Sequence, residues 1–263
     1  MARTYSAQAI VLKRTNLGEA DRLITLLSKY KGKLTAIAKG IRKVASRKAP
    51  NLELLNHVKV YLAQGKTFDV ITEAEAIETY KNLKADLSRV GFGFYLAEVT
   101  NEFLADGQGG REGFDLLRDA LRLVNQESDP AKVKLYVRAF EIKFLVSLGF
   151  KPELNRCTKC GRELTPHGNY FIPEFGGVVH GSCKTNNLLA QPISRDALVS
   201  LRFLQKENWQ KIQRLVVSQG LNKELERSLK FYLEYLLEKE IKSSGFINKV
   251  AAFIEKQRGK LYT

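Results

Sequence analysis

The first eighty residues alternate short apolar stretches with polar, glycine-containing turns, a pattern typical of β-strands. The sequence predicts five strands, at Ser6–Lys13, Arg22–Ser28, Leu34–Ala38, His57–Leu62 and Phe68–Ile71. Five strands of this length indicate a small closed barrel. An OB-fold is the preferred architecture, and an SH3-like barrel with a similar number of strands is the alternative.

From about residue 83 the apolar positions follow helical spacing. The best-delimited helix has Asp129 as its cap and Pro130 in its first turn, and Gly149 follows its last apolar residue. Other helices are predicted within 83–104 and at Phe114–Asn125, Arg195–Lys206, Asn208–Val217 and Lys223–Lys242. The fold class is therefore α+β. The predicted domains are a barrel at 1–80, a helical domain at 81–150 and 193–245, an inserted knuckle at 151–192, and a C-terminal tail at 246–263.

The knuckle contains all three cysteines of the chain, in two pairs of potential metal ligands. Two residues separate Cys157 from Cys160, and a glycine follows Cys160. Two residues likewise separate His180 from Cys183. Two such pairs joined by a hairpin indicate a zinc ribbon with Cys3His ligation. His167 is the alternative fourth ligand. Because four protein ligands close the coordination sphere, the expected role of Zn²⁺ is structural.

Positive charge is concentrated near the amino end. The chain has a formal net charge of +15, and residues 1–50 hold twelve Lys and Arg against only Glu19 and Asp21. Residues 39–48, called the basic segment, carry five cations and no acid. With two cations of the preceding turn, the predicted polyanion-binding residues are Lys31, Lys33, Lys39, Arg42, Lys43, Ser46, Arg47 and Lys48. Tyr5, Tyr30 or Tyr61 could offer a stacking face.

Other features favour a binding protein over an enzyme. The chain shows no apolar leader and no apolar run long enough to span a membrane, so a cytoplasmic protein is expected. Glu73 and Glu75 would share a strand face without completing a nuclease site. His57 is expected to be structural, and the glycine-rich stretch 106–113 to be a linker. An RNA-binding or ribosome-associated zinc-ribbon protein, or a metal-dependent nuclease, are the competing interpretations.

Several ordered motifs resemble the RecO family of bacterial recombination mediators. They are LGEADRLITLLSKYKGKLTAIAKGIRKVASR near the amino end, FEIKFLVSLGFKPELNRCTKCGRE at the first cysteine pair and FGGVVHGSC at the second. The resemblance spans most of residues 1–185. One departure is His180, which stands where zinc-binding members usually have cysteine; imidazole is also an ordinary zinc ligand.

The resemblance implies an OB-fold, a helical domain with a zinc knuckle, and a non-enzymatic role in DNA repair. Members of this family bind single- and double-stranded DNA, anneal complementary strands and, with RecR, help load RecA onto strands covered by single-stranded-DNA-binding protein. The resemblance also implies that residues of the basic segment contact phosphates. Those that match the family's motif are Lys39, Arg42, Lys43, Ser46 and Arg47. Arg138 is the candidate for contact with the acidic C-terminal tail of single-stranded-DNA-binding protein.

Overall fold

The computed structural model describes residues 3–260, and the chain divides into two compact units. The first, called the barrel unit, runs to Gln126 and also includes the residues from Ile241 onward. The second, called the ribbon unit, comprises Glu127–Glu240. None of the helices within residues 3–260 is long and apolar enough to cross a bilayer.

Five strands close the barrel: β1 (Thr4–Leu17), β2 (Asp21–Ser28), β3 (Gly32–Ala38), β4 (His57–Ala63) and β5 (Asp69–Glu78). Their order is β1-β2-β3-β5-β4, with β3 parallel to β5 and the other neighbours antiparallel. Alternate apolar side chains such as Ile24, Leu26, Val58, Val60 and Leu62 fill its interior. The predicted strands and the OB-fold are confirmed, although β5 runs beyond its predicted end.

Four helices complete the barrel unit: α1 (Lys81–Ala85), α2 (Leu87–Phe103), α3 (Gly110–Gln126) and α8 (Lys242–Lys260). Helix α8 packs on α2 where Gly91 leaves room; a Cβ there would lie 3.3 Å from the Phe246 ring. The Glu98 carboxylate accepts hydrogen bonds from the Lys242 and Ser243 N–H groups at the start of α8. The segment 246–263, assigned to a tail, therefore contains most of a packed helix; its last residues, 261–263, lie outside the described residues.

The glycine-rich stretch between α2 and α3 is more than a linker, because it pairs with the start of β3. Lys33 N–H donates to the Gln108 carbonyl, and Gly107 N–H donates to the Lys33 carbonyl, both at 2.7 Å. Gly32 has a φ of +66°, and a Cβ there would lie 2.3 Å from the Gly107 carbonyl oxygen. Only glycine therefore fits at position 32 without a shift of the backbone.

The ribbon unit begins with α4 (Pro130–Ser147), whose predicted cap is confirmed by the Asp129 carboxylate, which accepts from Ala131 N–H at 2.8 Å. Three short strands follow as an antiparallel sheet of order β7-β6-β8: β6 (Asn169–Ile172), β7 (Gly177–His180) and β8 (Gln191–Ile193). The unit ends with α5 (Arg195–Lys206), α6 (Trp209–Ile212) and α7 (Gln219–Leu237).

Two predicted helices of the ribbon unit have different bounds in the structure. The helix expected to reach Val217 stops at Ile212, and beyond it Val216 is 84% exposed and so contributes little packing that would extend the helix. The helix expected at Lys223–Lys242 begins earlier, since Ser218 caps it by accepting from Leu221 N–H. It also ends earlier, at Leu237.

Candidate metal centre and nucleic-acid interface

Both predicted ligand pairs of the knuckle converge on one point. The ligand atoms of Cys157, Cys160, His180 and Cys183 all lie within 4.8 Å of one another, and no other such group is found among the side chains that the structure describes. Cys157 is buried, whereas Cys160 is exposed. His167 stays outside the cluster, so His180 rather than His167 completes the ligand set. These four residues are able to bind a metal ion.

A tight turn places the first pair. Gly161 N–H donates to the Cys157 carbonyl at 2.8 Å, and Gly161 has a φ of +72°, which favours glycine. Burial acts to raise the pKa of the Cys157 thiol, but hydrogen bonds from the backbone N–H groups of Cys160, His180 and Lys159 outweigh it and lower that pKa. The turn therefore stabilises the thiolate, the form that binds a metal.

Arg162 is a residue of this centre that the sequence analysis missed. Its hydrogen bonds lower the pKa of the exposed Cys160 thiol to about 6, with smaller contributions from the neighbouring ligands. The signal was present in the chain, as a cation two residues after a candidate thiolate. The second cysteine of the pair is thus also poised as a thiolate near neutral pH.

The imidazole of His180 is oriented through both ring nitrogens. Nδ1 lies 3.6 Å from the Cys160 Sγ atom, and Nε2 lies 2.9 Å from the Glu163 carbonyl oxygen. Because a carbonyl only accepts, we assign the proton to Nε2 and the free electron pair to Nδ1. A backbone carbonyl that holds the outer nitrogen is the usual way in which proteins orient a metal-binding histidine.

The basic segment occupies the connection between β3 and β4 and is anchored by backbone hydrogen bonds. Arg42 N–H donates to the Ala20 carbonyl, and the Arg42 guanidinium donates to the Gly18 carbonyl at 3.0 Å. Asp21 accepts from Gly40 N–H at 2.7 Å. The side chains of four of its cations are exposed: Lys39, Arg42, Lys43 and Arg47. The segment therefore presents charge to solvent from a fixed backbone.

Other predicted contact residues have partners of their own or lie elsewhere. The Lys48 ammonium donates to the Ile71 carbonyl at 3.0 Å, and burial lowers its pKa. The Lys33 ammonium donates to the Asn101 carbonyl at 2.8 Å. Lys31 and Lys33 lie at the start of β3, whereas the basic segment follows its end, about 23 Å away along a seven-residue strand. Ser46 is partly buried within the basic segment.

The remaining candidates are also placed by the structure. Arg138 is 3% exposed rather than on a helix surface, and it forms an ion pair with Glu141 at 3.1 Å. Glu73 and Glu75 are exposed on β5, opposite Tyr61 and Lys59. His57 is buried, and its ring meets that of Phe114 edge to face. Of the three tyrosines considered for stacking, Tyr30 is 75% exposed.

Comparison with known proteins agrees with this arrangement. Two family models match, "Recombination protein O N terminal" over residues 1–80 and "Recombination protein O C terminal" over residues 84–245. Among similar proteins are the "DNA repair protein RecO" of Roseiflexus sp. (strain RS-1), 34% identical over 94% of this chain and 86% of its own, and that of Moorella thermoacetica, 33% identical over 95% and 92%. The RecO protein of Dehalococcoides mccartyi strain BAV1 is 34% identical over 94% and 96%. This chain therefore belongs to the RecO family of DNA repair and recombination proteins.

Proposed function

We propose that this protein is a non-enzymatic recombination mediator of the cytoplasm that binds single- and double-stranded DNA and anneals complementary strands. The observation that carries the proposal is the basic segment: exposed cations, without an acid among them, on a backbone held by the β1–β2 turn. Such a surface attracts phosphates and releases their counterions regardless of base sequence. Lys39, Arg42, Lys43 and Arg47 are the proposed phosphate contacts.

Annealing follows from this charge. Two complementary strands repel each other through their phosphates, and a cationic surface that neutralises part of this charge lowers the repulsion. Contacts to phosphates leave the base edges free to pair, because they carry no sequence information. The proposed binding is therefore weakly selective for sequence and strongly dependent on salt.

The proposed metal is Zn²⁺, held by Cys157, Cys160, His180 and Cys183. Tetrahedral zinc with Zn–S near 2.3 Å and Zn–N near 2.05 Å requires an S···N separation of about 3.6 Å. The Cys160 Sγ to His180 Nδ1 distance of 3.6 Å fits this requirement. Bound zinc would supply crosslinks between two turns of the knuckle, and with four protein ligands no position is left for a reacting water.

The proposed partners are those of the family: RecR, RecA, and the acidic C-terminal tail of single-stranded-DNA-binding protein. With RecR, the protein would help load RecA onto coated single strands. The assignment of Arg138 to the acidic tail stays a prediction, and it now needs a motion that uncovers a side chain only 3% exposed. An Arg138→Gln variant that still binds a peptide of this tail would contradict the assignment.

The basic segment can be tested through the salt dependence of DNA binding. Changing Arg42, Lys43 and Arg47 together to Ala should lower affinity and reduce the slope of log K against log salt by about two units on single strands. Fluorescence anisotropy over a salt series measures both quantities. A matched control removes three exposed cations of the ribbon unit, Lys206, Arg214 and Lys223. An unchanged slope in the first variant would place the DNA elsewhere.

The competing functions predict different results. A nuclease would shorten labelled DNA in the presence of Mg²⁺ or Mn²⁺, whereas a mediator leaves its length unchanged. An RNA-binding protein would prefer RNA over single-stranded DNA at one salt concentration. Annealing of strands pre-coated with single-stranded-DNA-binding protein, compared between the wild-type protein and the basic-segment variant, tests the mediator function itself.

A further inference from the structure

A second surface of the barrel lies at the end of β3 opposite the basic segment. A cleft of about 450 Å³ is formed there by the start of β1, the β2–β3 turn, the β4–β5 connection and the glycine-rich stretch before α3. Its lining residues include Tyr5, Lys31, Lys33, Phe68, Asp69 and Asp106. The volume falls within the range of small-ligand sites in proteins. Neither the proposed phosphate contacts nor the metal centre involves this cleft.

Hydrogen bonds and a close backbone approach hold the cleft in shape. On one side, Gly107 and Gln108 pair with Lys33, and Gly32 permits this contact. On the other side, the Asp69 carboxylate accepts hydrogen bonds from the Tyr5 hydroxyl and from Gly65 N–H. Four segments that are distant in sequence are thus tied together in two pairs. The site is therefore preformed, and binding of a ligand would cost little conformational entropy of the protein.

The charges of the cleft do not suit a phosphate. Its two lysines are matched by two carboxylates, Asp69 and Asp106, so it has no excess of positive charge. The Lys33 ammonium donates to the Asn101 carbonyl, and the Lys31 ammonium lies 4.1 Å from the centroid of the Tyr5 ring. The basic segment has the opposite character, with five cations and no acid. The two surfaces therefore suit different parts of a nucleotide.

The aromatic side chains indicate which part fits the cleft. Phe68 lines the cleft and is 39% exposed, so part of its ring is accessible to a ligand. Tyr30 is 75% exposed at the tip of the adjoining turn. Exposed aromatic rings are the surface on which unpaired bases stack. In a duplex the base faces are already stacked and cannot reach such a ring.

We propose that this cleft is a base-stacking subsite for single-stranded nucleic acid, with Phe68 as its stacking ring, separate from the phosphate-binding basic segment. The proposal rests on the proposed function, because it assumes that this chain binds single strands. It adds to that function that the two ends of the barrel bind different parts of the nucleic acid. One end attracts backbones of any strand, and the other holds a base that is not yet paired.

The test compares two oligonucleotides of equal length and charge, oligo-dC and an abasic analogue that lacks every base. Wild-type protein should bind oligo-dC at least about fivefold more tightly than the abasic strand, the smallest effect expected of one stacked base. Phe68→Ala should bring this ratio close to one and leave the abasic affinity unchanged. Phe68→Tyr, which keeps a ring, should retain the ratio. Fluorescence anisotropy at one salt concentration measures both affinities.

Two further variants separate the cleft from the basic segment. Phe150 is 45% exposed and lies in the ribbon unit, so Phe150→Ala should retain the ratio. The Arg42, Lys43 and Arg47 triple variant should lose affinity for both strands and keep the ratio. A wild-type ratio near one, or an unchanged ratio in Phe68→Ala, would overturn the cleft proposal alone. Failure of the wild-type protein to bind either strand would overturn the proposed function and the cleft proposal together.

Discussion

The barrel and the zinc-ribbon-like knuckle differ in what holds them together. In the barrel, a continuous cluster of buried apolar residues runs across all five strands. In the knuckle, a smaller cluster has three buried members, Cys157, Ile172 and Val179, with five partly buried residues packed against it, and Cys157 belongs to the candidate metal centre. Since burial of apolar surface is the main source of folding free energy, we expect the knuckle to depend more than the barrel on a bound metal.

This difference explains why the basic segment and the candidate metal centre depend on the fold in different ways. The cations of the basic segment need only a rigid support, and any well-packed barrel supplies one. The four candidate ligands would hold their own region together once a metal is bound, so we expect metal binding and local folding to be coupled there.

Removal of the metal should have the largest effect, and it should be confined to the knuckle. Chelation, or Cys157→Ser, should unfold residues 151–192, because structural zinc contributes on the order of 10 kcal/mol of apparent binding energy in small domains. Hydrogen exchange measured by mass spectrometry should show fast exchange there and continued protection in β1–β5. Ser182→Ala, next to a ligand, serves as the control. Slow exchange of the knuckle after complete metal removal would contradict this view.

A backbone clash in the barrel unit should have the next largest effect. Gly32→Ala combines a φ of +66° with a Cβ only 2.3 Å from the Gly107 carbonyl oxygen, so we expect a loss of about 3 kcal/mol in the free energy of unfolding. Gly18→Ala is the matched control. Its φ is +57°, but nothing lies within 4 Å of the added Cβ, so the loss should be about 1 kcal/mol. Urea unfolding measures both, and equal losses would show that the contact with Gly107 does not matter.

Mild acid should destabilise the barrel through His57. Burial, with smaller contributions from Arg118 and Lys29, lowers the pKa of His57 from 6.5 to about 4. Between these two values the unfolded state binds more protons than the folded state, so stability falls as the pH falls. From pH 7 to pH 5 the contribution of His57 amounts to about 2 kcal/mol. Urea unfolding at both pH values, with His57→Leu as the comparison, measures it; an equal fall in the variant would assign the effect to other groups.

Loss of the basic segment's charge should have the smallest effect on stability. The exposed side chains of Arg42, Lys43 and Arg47 support no core, so the triple alanine variant should unfold within about 0.5 kcal/mol of the wild type. The hydrogen bond from the Arg42 guanidinium to the Gly18 carbonyl would be lost in this variant. Thermal unfolding followed by circular dichroism provides the measurement. A larger loss would mean that weakened DNA binding in this variant reflects a damaged barrel.

Local patterns in the sequence were sufficient for most of the fold. The five strands follow from short apolar runs between turns, and the start of α4 follows from Asp129 and Pro130. The four candidate metal ligands follow from spacing, because two residues between the members of a pair allow both to lie on a single turn. These features depend on neighbours in the chain, and neighbours are visible in a sequence.

Other features depend on contacts between distant segments, and only the tertiary structure decided them. A helical pattern did not reveal that Arg138 is buried beside Glu141. Counting charges did not reveal that Lys33 and Lys48 donate to backbone carbonyls, nor that β3 separates two groups of cations. The cleft around Phe68 joins segments from residue 5 to residue 107.

By itself, then, the sequence determined the five strands of the barrel and most of the helices, which four residues can hold a metal and where positive charge is concentrated. The tertiary structure decided which of the cations remain exposed and which aromatic ring borders a cleft. The physical reason is that the burial and the hydrogen bonds of a side chain depend on every segment packed around it. Helix caps, strand alternation and ligand spacing depend only on residues a few positions apart in the chain.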